Sequence, residues 1–350
     1  MQRELEFREL EFSSPGNVRL IPMEAPEPGE GEVLVSTLYS GISAGTELTA
    51  FTGTNPYLHR RWDARRRLFA DGTPTFPYPV RGWGYEEVGR VVTVGPGAHP
   101  ELAGRAVWGI WGHRSAAVLP EATARAQGLG PRVPPVCGVF ARPGAVALNA
   151  LLDANPRLDD VLVIFGQGVI GLLLTALATA EGARVVAVDP IPERLALATH
   201  FGAWTVISEP AAAAEQVRDL TGNRGAAVAV DVSGRPAALH EAIRSVGLNG
   251  LVVAAGFYQG GLDAVRLGEE FHHNRVRLHS SQIGAVDPAL TGSWDKARLH
   301  QEVMERIADG RLDPMPLISH RFPAERGQDA FDLLTSGDPR VLQVVLQFGD

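Results

Sequence analysis

Six residues, Gly166, Gln167, Gly168, Val169, Ile170 and Gly171, stand between a wholly apolar run at 161–165 and an apolar stretch of helical length at 172–180. Glycines spaced G-x-G-x-x-G at a strand-to-helix junction leave few folds open. The first permits a tight turn, the second lets backbone N–H groups approach a diphosphate, and the third lets helix and strand pack closely. The N-terminus of the helix then faces that negative charge. A second apolar run, 185–188, ends at Asp189, where an acid meets the adenosine ribose of a dinucleotide. Further runs at 227–231 and 251–255 alternate with helical segments at 192–203, 211–220 and 240–247. Strands buried on both faces and alternating with helices predict an α/β doubly wound parallel sheet.

The flanking parts read differently. The first 140 or so residues hold short β-type runs at 33–39, 87–94, 106–111 and 115–119, punctuated by Gly and Pro. Such runs suggest a compact, barrel-like β unit. Pro143 opens a helix, and beyond residue 290 a helix at 296–309, a loop and a last strand at 341–348 predict a return to the first unit. The expected domains are therefore 1–142, 143–288 and 289–350. The segment 53–83 shows no periodicity. Its run from His59 to Arg67, with five arginines, reads as a solvated loop with helical turns, or alternatively as arginine forks for an anionic group.

Two scarcities narrow the chemistry. One cysteine, Cys137, excludes intrachain disulfides, a four-cysteine zinc lobe and Fe–S clusters. One lysine, Lys296, excludes a Tyr-x-x-x-Lys pair and a P-loop. A net charge of −8 excludes a broadly basic surface for nucleic acid or membrane. The N-terminus is charged from its third residue, and the most apolar stretch, 169–180, is shorter than the ~20 residues that span a bilayer. The expectation is a cytoplasmic protein with a small-molecule substrate and no nucleic-acid or membrane partner.

Two further segments carry a family resemblance. Gly84-Tyr85-Glu86-Glu-Val-Gly89-Arg-Val-Val-Thr-Val-Gly95 resembles the G-H-E-x-x-G-x-V-x-x-V-G signature of the medium-chain dehydrogenase/reductase, or alcohol dehydrogenase-like, superfamily. Gly41-Ile-Ser43-Ala-Gly-Thr46-Glu47 resembles its G-I-C-G-T-D segment with one extra residue. The pattern is similar to the bacteriochlorophyllide a dehydrogenase-like branch. The resemblance implies a GroES-like β-barrel catalytic domain, an inserted Rossmann domain, NAD as cofactor and a homodimer. It also exposes departures. Ser43 and Tyr85 stand where zinc relatives carry cysteine and histidine, and the region 140–145, where a third ligand is expected, offers neither thiol nor imidazole. A catalytic zinc normally takes three protein ligands, so no metal is expected.

Alcohol oxidation without zinc still requires a group that takes the hydroxyl proton. Tyr85, Glu86, His113, Thr46 and Glu47 are the candidates, with Tyr85, helped by His113, the first choice. The dinucleotide would meet residues 166–171, Asp189, Arg194, and Ser233, Gly256 and Phe257 at the ends of later strands. His272, His273 and Asn274 are expected substrate residues. Asp189 favours NAD over NADP by repelling a 2′-phosphate. The reaction these residues predict is zinc-independent interconversion of a secondary alcohol and a ketone on a polyol, sugar or cyclitol. The alternatives are an NADPH-dependent enoyl or quinone reductase and a non-catalytic dinucleotide-binding protein.

Overall fold

The computed structural model describes residues 7–349. The chain forms two compact units: residues up to Ala141 with those from Leu317 onward, and Arg142–Pro316. The return to the first unit thus begins at Leu317, not at residue 289. The helix Lys296–Ala308 packs within the second unit, where a Cβ at Gly144 would collide with Val303 and where Arg306 pairs with Glu181 at 2.8 Å. Its amphipathic pattern says which face is buried, but not against which unit.

The second unit is a six-stranded parallel sheet. Its order is Thr205–Ile207, Arg184–Val188, Val161–Phe165, Ala226–Asp231, Val246–Ala254 and Arg277–Ser280. Numbered along the chain this is 3-2-1-4-5-6, the doubly wound order of dinucleotide-binding sheets. Val163, Phe165, Val186, Val188, Ala229 and Val252 are almost fully buried, as strands covered on both faces require. Phe165 lies opposite both Val188 and Asp231, and Asp231 opposite Ala254, so the turns after these strands share one end of the sheet.

The first unit is mainly antiparallel. Its main sheet runs Ile318–Pro323, Gln343–Gln347, Glu32–Ile42, Glu87–Val94, Ala106–Gly109, and Ala116–Pro120 pairs with Glu32–Ile42. The pairings among the described residues leave this sheet open, so the expected barrel is not closed. Two register shifts bend Glu32–Ile42, which joins Gln343–Gln347 through 39–42 and Ala116–Pro120 through 32–36. Phe12, Phe51 and Phe331 centre the core beside Leu10, Ile42 and Leu346.

The arginine-rich segment forms a hairpin, Arg61–Asp63 against Leu68–Ala70, instead of helical turns. Its spine is aromatic: Tyr57, Trp62 and Phe69 lie with centroids 5.0–6.4 Å apart, while Arg65, Arg66 and Arg67 remain exposed at its turn. Among the described residues one helical stretch, Pro135–Ala154, is apolar and long enough to cross a membrane, but most of it is buried inside the fold.

Candidate active site

In the second unit the glycine turn has the geometry a diphosphate needs. Gly166 adopts φ +92°, open to glycine at little cost, and a Cβ there would press on Ser233 at 3.0 Å. A Cβ at Gly171 would collide with the Gly166 carbonyl, so this close approach of helix and turn requires glycine. At Gly168 nothing lies within 4 Å of the place a Cβ would take. That open space lies at the N-terminus of the helix Val169–Ala180, whose first N–H groups lack intrahelical partners.

Asp189 ends the neighbouring strand with its carboxylate almost fully buried. It accepts from the Gln167 N–H at 2.7 Å and the Ile191 N–H at 2.9 Å, and Arg194 stands 3.9 Å away. Each carboxylate oxygen keeps acceptor capacity for a ribose hydroxyl. The Gln167 side chain turns inward to Thr175 and the Ile164 carbonyl, so only its backbone serves the turn. Gly234 packs on the loop after Val246–Ala254, where a Cβ at Gly256 would strike its backbone; Phe257 is 41% exposed beside it. Asp231 anchors this corner by accepting from the Ser233 N–H at 2.9 Å and the Tyr258 hydroxyl at 2.5 Å.

The first unit holds a buried polar cluster. Ser43 precedes the helix Ala44–Phe51, and Glu47 reaches back from its first turn to accept the Ser43 N–H at 3.0 Å, a variant of a capping box. The other oxygen of Glu47 meets His113 Nε2 at 2.5 Å. His113 Nδ1 lies 2.7 Å from Ser40 Oγ, which donates to Glu87 at 3.1 Å, and Glu87 also accepts the Trp111 N–H at 2.7 Å. Gly84, at φ +114°, leaves room for this, since a Cβ there would stand 2.8 Å from Glu87 and 3.0 Å from the His113 backbone nitrogen. Beside it Glu86 accepts from Gln343 at 2.9 Å, and the part-buried Tyr85 hydroxyl donates to Ser43 Oγ.

The charges of this cluster are mutually adjusted. Burial pulls the His113 imidazole down, but the Glu47 and Glu87 carboxylates outweigh it and hold the ring above its ordinary 6.5. Burial, reinforced by Glu47 and Glu87, pushes Glu86 well above the carboxylate range; Glu87 is also raised, burial again the chief cause. Burial first, then Glu86 and Glu47, push the Tyr85 phenol above 10. A group with a raised folded pKa adds stability in full below its unfolded pKa, and that stability is lost as pH rises through the folded value. The melting temperature should therefore fall as pH rises above 6.5, and His113→Gln should flatten that fall. Thermal melts from about pH 6 to about pH 9 measure this; a wild-type melting temperature that climbs across that range contradicts it.

These contacts correct several expectations. Both nitrogens of His113 are spent on Glu47 and Ser40, and the residue is 1% exposed, so it does not assist Tyr85 at a substrate. Glu47 is fully buried as its partner. Burial, with Glu86 and Glu47 beside it, raises the Tyr85 phenol, so it suits a proton donor better than the unaided base of an alcohol oxidation. His272, His273 and Asn274 precede the strand Arg277–Ser280, and the Asn274 carbonyl accepts the Asn249 N–H, so they sit at the opposite end of the sheet from the glycine turn. Ser40 and Gln343 escaped the sequence reading because strand pairing brings them in from distant segments, and Glu87, beside Glu86, because its partners Ser40 and the Trp111 N–H are known only from the fold.

The donors at the two positions where zinc relatives carry ligands do not fit a zinc ion. Tyr85 and Ser43 offer hydroxyls bonded to each other, and Glu86 is held by Gln343. Zinc sites draw on thiolate, imidazole and carboxylate donors.

Comparison with known proteins places these features. Residues 169–297 match the family model described as zinc-binding dehydrogenase. The chain is 25% identical to the D-guloside 3-dehydrogenase of Escherichia coli K12 over 323 residues, covering 89% of this chain and 91% of the relative. It is 26% identical to the 2-desacetyl-2-hydroxyethyl bacteriochlorophyllide A dehydrogenase of Rhodobacter capsulatus over 340 residues, covering 93% and 92%. The crystal structure of the 2R,3R-butanediol dehydrogenase of Bacillus subtilis superposes with a TM-score of 0.77 at 20% identity, covering 98% of this chain and 100% of that one, and so shares the fold.

Proposed function

We propose that this chain is a nicotinamide-dependent dehydrogenase that interconverts a secondary alcohol and a ketone on a polyol, sugar or cyclitol, without a catalytic metal. The observation that carries the reading is the hydroxyl pair Tyr85–Ser43 in the two segments that resemble the ligand-bearing motifs of zinc dehydrogenases. Similarity over about nine-tenths of the chain to relatives named as dehydrogenases supports the reaction class.

The second unit would hold the dinucleotide: Gly166, Gly168 and the N–H groups of Val169 and Ile170 at the diphosphate, Asp189 at the adenosine ribose, Ser233, Gly256 and Phe257 towards the nicotinamide end. A nicotinamide held there would supply the hydride acceptor or donor. The proton belongs to the first unit. With its pKa raised, Tyr85 keeps its proton near neutral pH, and that one proton would turn from Ser43 Oγ to the substrate oxygen. During ketone reduction it passes its proton to that oxygen and takes a replacement from solvent water by way of the Ser43 and Thr46 hydroxyls, both hydrogen-bonded to the phenol. Oxidation runs the same path in reverse. Burial, with Glu47 and Glu87 beside it, raises Glu86 well above the carboxylate range, which lessens the charge set against a developing alkoxide.

Turnover with NAD over polyols, cyclitols and secondary alcohols tests the activity. NAD-linked oxidation of a hydroxyl-rich member supports it; tight NAD binding with no turnover across the panel overturns it in favour of a non-catalytic dinucleotide-binding protein. Asp189 makes a separate prediction. Its carboxylate should favour NADH over NADPH, and Asp189→Ala should narrow or invert the gap, read by fluorescence titration. Tighter NADPH binding by the unaltered protein contradicts the assignment.

A further inference from the structure

A second polar cluster lies in the second unit. Asp153, near the end of the helix Ala141–Ala154, His279 in the strand Arg277–Ser280 and Asp287 in the following loop each bring a ligand atom within 4.8 Å of the others. Asp153 Oδ2 and His279 Nε2 stand 3.7 Å apart. That is beyond a hydrogen bond, but near the separation of about 3.4 Å that two ligands 2.0–2.2 Å from one tetrahedral ion would have. The Asp153 side chain is only 3% exposed and faces a second carboxylate, Asp287.

The surroundings supply an independent sign. Asn149, one helical turn before Asp153 and 2% exposed, spends its amide nitrogen on Asp153 Oδ2 at 3.2 Å and Ser281 Oγ at 3.1 Å. Its carbonyl oxygen is left buried without a donor beside the same cluster. A buried amide oxygen with no hydrogen bond is destabilising, and a cation is one partner that removes this cost.

We infer that Asp153, His279 and Asp287 form a binding site for a divalent first-row cation such as zinc, next to the buried Asn149 amide whose oxygen lacks a donor. One imidazole with carboxylate oxygens suits zinc or manganese, whereas calcium and magnesium prefer oxygen-only shells. The site uses no residue assigned to the dinucleotide or to the proton path, so it is structural and independent of the proposed reaction. The pairing ties the helix Ala141–Ala154 to the outermost strand of the sheet, and an ion there would brace that contact.

The test uses the full chain stripped with chelator and titrated with Co²⁺ and Zn²⁺, read by cobalt d–d absorption, calorimetry and melting temperature. One equivalent should bind and raise the melting temperature. His279→Gln and Asp287→Asn, both at part-exposed positions, should each weaken binding at least tenfold and abolish the thermal shift. Binding that survives both changes undiminished, or no cobalt binding below millimolar concentration, overturns the assignment. Neither result bears on turnover.

Discussion

Tyr85→Phe should lower turnover about 10²-fold or more, while NADH affinity, set by the other unit, stays nearly unchanged. The substitution keeps the ring and removes only the hydroxyl that bonds Ser43. Packing should therefore survive, which a melting curve can check beside the kinetics. Loss of an interaction made only in the transition state lowers kcat and kcat/KM together, so a rise in KM alone would point to mere binding. Near-normal turnover in Tyr85→Phe, with Glu86→Gln inactive and still binding NAD, would move the proton to Glu86. Ser43→Ala should produce a smaller loss, since water can take over part of a relay but not the donor itself.

His113→Ala should destabilise the fold by about 3–5 kcal/mol, the cost of removing one partner from a buried ion pair. It leaves Glu47 and Glu87 buried without their imidazolium, in a cluster that already contains Glu86. The deficit appears in denaturant unfolding, and its size should shrink as pH rises through the raised pKa of His113 and the wild-type imidazolium is lost as well. Turnover per folded molecule should fall far less than for Tyr85→Phe. A stability change under about 1 kcal/mol, together with abolished turnover, would make His113 a catalytic group instead of a buried counter-ion.

Much of the second unit could be read from residue order alone. Strands covered on both faces are nearly uninterrupted apolar runs, and the glycine spacing reports a turn whose backbone cannot accept a Cβ, as Gly166 and Gly171 show. The first unit was less legible. His113 and Glu47 lie 66 residues apart, and Gln343 lies 257 residues from Glu86, so no local pattern joins them. His272 to Asn274 were misplaced because periodicity identifies a strand without saying which of its ends faces the glycine turn. That end is fixed by register, Leu251 opposite Arg277 and Ala254 opposite Ser280. The hairpin at Arg61–Ala70 was obscured because its short strands carry arginine and aromatic residues in place of an apolar alternation. A hydroxyl pair in place of zinc ligands was visible at once, because substitution at Ser43 and Tyr85 needs no tertiary information. The raised phenol pKa was not, because it depends on Glu86 and Glu47 being buried beside it.

The central claim is that Tyr85 and its hydroxyl partners handle the proton without a metal. The direct measurement is NAD-linked turnover of protein stripped with chelator, with metal content determined in the same samples. It should be repeated in His279→Gln so that an ion held by Asp153 and Asp287 does not confuse the count. The account predicts full turnover at a small fraction of one zinc per chain in both proteins. Turnover that vanishes on stripping and returns with one equivalent of zinc, in His279→Gln as in the unaltered chain, would contradict it.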